Sequence, residues 1–366
     1  MLRSTHTSGV RSTARGRPRR GRLVAGGALA IGALVGGATV PALASAPRAT
    51  SAHAAAPNYY RGKNVTILVP NAPGGNIDTT ARAAVPFLQH ALGAAGMKLI
   101  DVTGAGGVVG LDQLWNAPRD GLTVGYTNVP VALLTSIVGG QGISYNAGEF
   151  MYLGRLTASP RVVVVSNKSG ITNPSQLRGK KVLVPLSGFD DTFYTVVALA
   201  HTLGFTPEYV SGFASQGAVV DSLASGATEL TEGSLTSLLP AIQAHLVRPI
   251  MFETTGNVPK VYSSLPSWAS LSGTTNAGLV RAFSNLVSIE GSYFVPPKTP
   301  KAAVTALRHA IGKMYRDPAF RAAETKVGAT LRYMSGVNEQ SQIGGIVKDV
   351  TPYLPLLRAA LKAAGG

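Results

Sequence analysis

The sequence predicts an α/β protein whose ordered part forms two lobes. Each lobe is expected to be a mostly parallel sheet flanked by helices. Three observations carry this. Short apolar runs rich in Val, Ile and Thr alternate with helix-period stretches along most of the chain. Glycine-rich turns repeatedly follow those runs, where helices should begin. Beyond a basic leader, roughly 310 of the 366 residues remain, too many for one compact sheet of this kind.

The leader comes first. Residues 1–22 hold seven arginines and no acid, and LVAGGALAIGALVGGATVPALA (23–44) follows without a charge. Small-residue cleavage patterns stand at Ala42-Leu43-Ala44 and Ala52-His53-Ala54. A basic start, an apolar middle and such an end describe an export signal, expected to occupy residues 1–56. The uncharged run is long enough to span a bilayer, but its many glycines make a poor membrane helix. Arg19-Arg20 is poorly flanked for the twin-arginine route, by Pro18 and Gly21. The expected location is extracytoplasmic: periplasmic, cell-surface or secreted. Cysteine is absent, which excludes disulfides, thiolate metal sites, a cysteine nucleophile and a lipoprotein anchor.

The leader also explains half of the net charge of +16. Taking its eight arginines from 33 basic residues leaves 25 against 17 acids, a net +8. That suits an anionic ligand, and it is also an ordinary surface charge. After residue 56 no basic run carries interleaved aromatics, so no nucleic-acid partner is expected.

Strands and helices then follow in order. VTILVP (65–70) precedes a helix at about 78–92, and MKLIDV (97–102) precedes a glycine loop and a helix at about 108–116. LTVGYT (122–127) precedes a helix at about 130–138. RVVVVS (161–166), KVLVPL (181–186), TELTEG (228–233) and RPIMFE (248–253) read as further strands. After YFVPPKTP (293–300) the pattern is helical, over about 301–327 and 337–363.

Functional signals concentrate in the turns. VPNAPGGNID (69–78) places Pro73, Gly74 and Gly75 between a strand and a helix. Such a loop can cradle a phosphate, host a catalytic group or hold a carboxylate. Gly104, Gly106, Gly107 and Gly110 follow the second strand, and Asn128 follows the third. Ser187-Gly188 follows KVLVPL, and Ser211-Gly212 follows PEYV. Several such loops in one crevice make an anion site from free helical N–H groups, with no charged side chain required.

Other chemistries fit poorly. GAGGVVG (104–110) has Val109 where a dinucleotide fingerprint needs its last glycine, and no Gly-Lys-Ser/Thr follows any turn. His90, His201, His245 and His309 are widely spaced and read as helix-surface residues. In GFASQG (212–217) Ser215 stands at the wrong place for a nucleophile elbow. No metal and no cofactor is expected. Asp190 and Asp191 read either as an acid pair or as caps of the helix that follows them.

Five segments, in order, carry a resemblance: PNAPGGNIDTTAR (70–82), DVTGAGGVVGLDQL (101–114), APRDGLTVGYTN (117–128), SGFASQGAVVDSLASGATEL (211–230) and FVPPKTPKAAVTALRHAIGKMYRDPAF (294–320). Their order and spacing resemble the tripartite tricarboxylate transporter receptors, the Bug family of extracytoplasmic solute-binding proteins. The likeness runs over nearly all of the chain after the leader. It implies a two-lobed, periplasmic-binding-protein-like (type II) fold closing over one small ligand, usually a carboxylate held by main-chain groups and water. It implies no catalysis, membrane permease subunits as partners and a monomer. The first lobe would hold residues 57–159 and 290–366, the second 160–289.

By the same resemblance, Ala72, Pro73, Gly74, Gly75, Asn76 and Ile77 would form the carboxylate loop, with Asp78 capping the helix behind it. Gly106, Thr127 and Asn128 would join them from the first lobe. Ser187, Gly188 and Phe189, with Ser211, Gly212 and Ala214, would meet the ligand from the second. Where relatives usually carry small hydroxyl residues, this chain has Asp190 and Asp191. Either one, pointing inward, would repel a second carboxylate and welcome an amine. Amino-acid-like acids are therefore included among the expected ligands. Two alternatives stay open: a sensing or scavenging receptor feeding a signalling partner, and an enzyme on the same scaffold.

Overall fold

A computed structural model describes residues 58–140, 142–254 and 258–366. The expected leader, residues 1–56, lies outside the described residues. The chain opens with β1 (Asn64–Val69), in which Val65, Ile67, Leu68 and Val69 are fully buried, the pattern of a central strand covered on both faces. α1 (Asn76–Leu92) buries Ala81, Ala84 and Leu88 at helical spacing and ends at Gly93, in the left-handed conformation. β2 (Gly96–Asp101), α2 (Val108–Trp115), β3 (Thr123–Asn128) and α3 (Val129–Val138) repeat the unit. Gly110 lets α2 press onto the end of β1: a Cβ there would lie 2.7 Å from Pro70 Cβ.

β4 (Met151–Thr157) then leads across to β5 (Arg161–Ser166). The second lobe continues through β6 (Lys181–Leu186), α4 (Asp191–Leu203), β7 (Thr206–Ser211) and α5 (Gln216–Ser225). β8 (Leu230–Ser234), α6 (Leu235–Gln243), β9 (Val247–Phe252), α7 (Trp268–Leu271) and α8 (Ala277–Leu286) complete it. β10 (Gly291–Val295) brings the chain back. α9 (Lys301–Arg316), α10 (Pro318–Lys326), β11 (Leu331–Ser335), α11 (Gly336–Val350) and α12 (Leu354–Ala363) follow. Among the described residues no helix is long and apolar enough to cross a membrane.

The first lobe has one six-stranded sheet, in the order β11-β4-β10-β3-β1-β2. The second has β8-β5-β9 and the pair β6-β7. The expectation of mostly parallel sheets needs correction. β1 is parallel to β2 and β3, and β6 to β7, but β10, β4 and β11 add antiparallel pairs, as do both neighbours of β5. The reason lies in the crossings. β4 leaves the first lobe and β10 returns to it beside β4, so the two must run in opposite directions.

The crossings lie close together: Gly291 N–H donates to Thr157 Oγ1 at 3.0 Å. One apolar cluster lies between the first sheet and α1 and α9, around Val65, Leu88, Leu307 and Ile311. Another packs α5 and α6 on β5 and β9. The largest runs from Leu68 and Leu133 in the first lobe to Phe193 and Leu199 in the second. α12 packs against both α3 and α4, with Leu357 and Leu361 buried there. The C-terminal helix thus braces both lobes, where the sequence pattern assigns it to the first alone.

Candidate functional site

A cavity of about 430 Å³ lies where the ends of β1, β3, β5, β6 and β8 converge. Its first-lobe wall is made by three helix starts. α1 has Gly75 at its N-cap and no side chain bonded to its free amides. α2 begins after Gly107, equally without a side-chain cap. α3 begins at Asn128, whose side chain also makes no capping bond. The α1 start leaves its first N–H groups for a ligand. At α2 the first amides bond back to Ala105 O and Gly104 O, and at α3 Val129 N–H donates to Glu290 O at 3.4 Å while Pro130 has none, so these two starts contribute mainly the positive end of the helix dipole.

The loop before α2 is built for close approach. Gly104, Ala105, Gly106 and Gly107 all have positive φ, at 130°, 48°, 66° and 97°. A Cβ on Gly106 would meet Asp190 Cβ at 3.5 Å, and one on Gly188 would meet the Gly106 backbone at 3.5 Å. These two loops face each other across the cleft.

The second-lobe wall is constructed differently. Its helices cap themselves: Asp190 accepts from Phe193 N–H at 3.2 Å, Ser215 from Ala218 N–H at 3.2 Å, and Ser234 from Ser237 N–H at 3.2 Å. Behind these caps lies a buried ionic network. Arg161 donates from Nε to Glu232 Oε2 at 3.0 Å and from Nη2 to Glu232 Oε1 at 2.6 Å. Its Nη2 also lies 3.3 Å from Asp191 Oδ2. Asn128 Nδ2 donates across the cleft to Asp191 Oδ2 at 3.0 Å, leaving Asn128 Oδ1 buried with no donor. Glu290, only 4 % exposed, completes the wall from the return crossing.

Electrostatics follow from the burial. Burial alone would weaken the Arg161 charge, but Glu232, Asp191 and Glu253 overcome it and lock the guanidinium in its charged form. Asp190 is pushed up to about 7, by desolvation first and then by Asp191. Glu290 is also pushed up to about 7 by burial, with Arg161, Ser234 and the Ser159 backbone opposing. Glu253, behind the wall and fully buried, is driven well above the carboxylate range by burial and then by Glu232. Among the described residues, no group of His, Cys, Asp and Glu has the arrangement to hold a metal ion.

The sequence-derived site residues divide accordingly. Ala72, Gly75, Asn76, Ile77, Gly106 and Asn128 line the cavity from the first lobe. Ser187, Asp190, Asp191 and Ala214 line it from the second. Pro73 and Gly74 are exposed on the loop and do not line the cavity, and Asp78 and Thr127 are buried and do not line it either. Asp78 is not the helix cap: it is the third residue of α1, and its side chain points back along the helix. There Oδ2 accepts from Gly74 N–H at 2.7 Å while Oδ1 pairs with Arg82 Nε at 2.6 Å. Thr127 is buried and donates to Asn71 Oδ1 at 2.6 Å, so it positions a lining residue.

Gly188 and Phe189 face elsewhere. They line a separate apolar cavity of about 300 Å³ with Val108, Tyr194 and Leu361, and the Phe189 ring packs edge-on against Phe193. Ser211 and Gly212 are exposed past the end of β7 and do not reach the cavity lining. Sequence reasoning missed Arg161, Glu232, Ser234 and Glu290 as lining residues. The available signal was an arginine opening the apolar β5 and two buried-strand neighbours, Glu232 within β8 and Glu290 just before β10. All four histidines beyond the leader are exposed, and none lines the cavity.

No protein-family model and no curated protein sequence matches the chain. Solved structures do. MatC from Rhodopseudomonas palustris, solved with bound malate, is 19% identical with a TM-score of 0.65, over 80% of this chain and 99% of its own. The periplasmic binding protein BugD is 19% identical at 0.64, over 84% of this chain and 99% of its own. An R. palustris protein solved with adipate is 18% identical at 0.63, over 81% of this chain and 97% of its own. Identities this low speak for architecture only, and the architecture is plain: the chain has the two-lobed fold of the periplasmic solute-binding proteins.

Proposed function

We propose that this chain is an extracytoplasmic solute-binding receptor, and not an enzyme. It captures a small organic acid by lobe closure and delivers it to the membrane subunits of a tripartite tricarboxylate-type transporter. One observation carries the reading: three uncapped helix starts, on α1, α2 and α3, converge on one cavity between the lobes. Such a wall holds a carboxylate through main-chain amides alone. The malate and adipate of the structural neighbours are ligands of that kind. The resemblance of the glycine loops to the tricarboxylate receptors supports the same reading.

Ala72, Gly75, Asn76, Ile77 and Gly106 form the carboxylate cradle, and the chain works as a monomer. The lobes turn about the two adjacent crossings, at Thr157–Arg161 and Ile289–Gly291. Ligand joins the walls and shifts the population toward the closed form. The test is a thermal-shift screen of ligand-free protein against mono-, di- and tricarboxylates and amino acids. A ligand at about 100 times its Kd should stabilise the fold by about 2.7 kcal/mol. If no carboxylate of any class raises the melting temperature, the reading fails.

A further inference from the structure

All the ionisable side chains that line the cavity stand on one side of it. The first wall offers glycines, Asn71, Ala72, Asn76, Ile77 and the three helix starts, with no charge. The second wall offers four carboxyl groups, on Asp190, Asp191, Glu232 and Glu290, against the single guanidinium of Arg161. Its charge is already countered: Glu232 and Asp191 engage its Nε and Nη2, and the residue is 4 % exposed. A ligand with a carboxylate at each end would therefore set its second anion against an acidic wall whose one cation is already paired. In a buried site that repulsion costs several kcal/mol.

The cleft beside that wall presents an unfilled acceptor. Asn128 Oδ1 is buried in the cleft with no donor, beside the bond that its own Nδ2 makes to Asp191. Asp190 spends one oxygen on the Phe193 amide and receives the Ser187 hydroxyl on the other at 3.3 Å, a long contact. Asp190 and Glu290 hold their protons up to about 7, because burial disfavours their charge and, at Glu290, outweighs the opposing pull of Arg161.

Resting on the receptor reading, we infer that the ligand is a carboxylate that also carries a cationic nitrogen. Its carboxylate meets the open helix starts of the first lobe. Its ammonium donates to Asp190 and Asp191 on the second wall and to Asn128 Oδ1, which reaches them from the first. Two opposite charges a few ångströms apart on one small molecule match two walls of opposite electrostatic character.

The experiment uses matched probes of nearly equal size: succinate against aspartate, glutarate against glutamate, and butyrate against 4-aminobutyrate, each by calorimetry on the ligand-free protein. Putrescine serves as the amine-only control. The ammonium-bearing member of at least one pair should bind at least ten times more tightly than its plain partner. Asp190→Asn, which keeps the capping acceptor for α4, should shrink that ratio at least fivefold while leaving the melting temperature of the free protein close to wild type. A plain diacid that binds as tightly as its amino partner, or only with added calcium, overturns the inference and leaves the receptor reading standing. Binding of putrescine with no binding of any carboxylate overturns both, as does silence of every probe.

Discussion

The two walls of the cleft are made from the same parts and do opposite things. Each is a set of strand ends followed by helix starts. In the first lobe the starts of α1, α2 and α3 carry no side-chain cap. In the second, α4, α5 and α6 are capped by their own Asp190, Ser215 and Ser234. A side-chain cap is worth about 1 kcal/mol to a helix. The first lobe forgoes a side-chain cap three times around a single cavity; backbone carbonyls take up the first amides of α2 and α3, and the open amides at α1 are what a ligand anion can complete. The second lobe satisfies its amides internally and turns carboxyl groups to the cleft. On the proposed reading one lobe receives the negative group of the ligand and the other the positive one.

The strongest way to break this comparison is to remove the cation that holds the acidic wall together. Arg161→Ala would leave Glu232 and Asp191 buried without their partner. Breaking one side of a buried pair costs about 3–5 kcal/mol, so urea unfolding should show the largest loss of any single substitution in the cleft. A loss below about 1 kcal/mol would mean that the network contributes little.

The next largest effect belongs to the first wall. Gly106 has φ 66° and faces Asp190 across the cleft. In Gly106→Val the backbone alone is strained by roughly 1–2 kcal/mol, and the side chain occupies the space where the lobes meet. Affinity for any ligand should fall by about a hundredfold, near 2.7 kcal/mol, with the fold retained. Wild-type affinity in this variant would show that the loop before α2 takes no part in binding.

A subtler variant makes the first wall imitate the second. Gly75 has the extended conformation of an N-cap and room for a side chain, its nearest contact being Ala72 O at 3.4 Å. Gly75→Asp supplies α1 with its own acceptor. Stability should hold or rise by a few tenths of a kcal/mol, roughly the Gly-to-Asp difference at an N-cap. Carboxylate affinity should fall about tenfold, near 1.4 kcal/mol, because the amides are taken and a negative charge stands beside them. Helix stabilisation together with unchanged affinity would separate the α1 start from the ligand.

How much of this was legible in the sequence differs between the walls for the same reason. The first wall is local. Each helix start follows its strand directly, so PGG at 73–75 and GAGG at 104–107 advertise it within a few residues. The error there was small and geometric: Asp78 was read as the cap, two residues beyond the true helix start, and it ties Gly74 from behind instead. The second wall is not local. Arg161, Glu232 and Glu290 lie on three segments that meet only after β5 pairs with β8 and the chain returns through β10.

Strands show the same division. β1, β2, β3, β5, β6, β8 and β9 read clearly as apolar runs. β4 is interrupted by Gly154 and Arg155, β10 has only five residues, and β11 is half-exposed with a shifting register. Those strands exist because neighbours in the first sheet pair with them, which no local pattern reveals.

The smallest expected effect is also the one whose sign discriminates most. Asp190 and Glu290 titrate near 7 in the fold, and Glu324 and Glu339 near 8, all raised chiefly by burial from an ordinary carboxyl value near 4. Between those values the folded chain holds more protons than the unfolded chain. Their contribution to stability is therefore full in acid and is lost as pH rises through 7 and 8. The melting temperature of the ligand-free protein should fall from about pH 5.5 to about pH 8.5. Binding should run the other way for a probe whose ammonium and carboxylate stay ionised throughout. Around that ammonium, Asp190 and Glu290 gain charge as pH rises, Asp191, Glu232 and Arg161 complete the second wall, and the first wall brings no ionisable group. Affinity for such a probe should increase about fivefold, near 1 kcal/mol, from about pH 5.5 to about pH 8. A plain diacid should lose affinity over the same range, because its second carboxylate meets a wall growing more negative. Parallel pH profiles for the two probes would show that the acidic wall does not face the ligand, and the contrast between the lobes would then be one of construction alone.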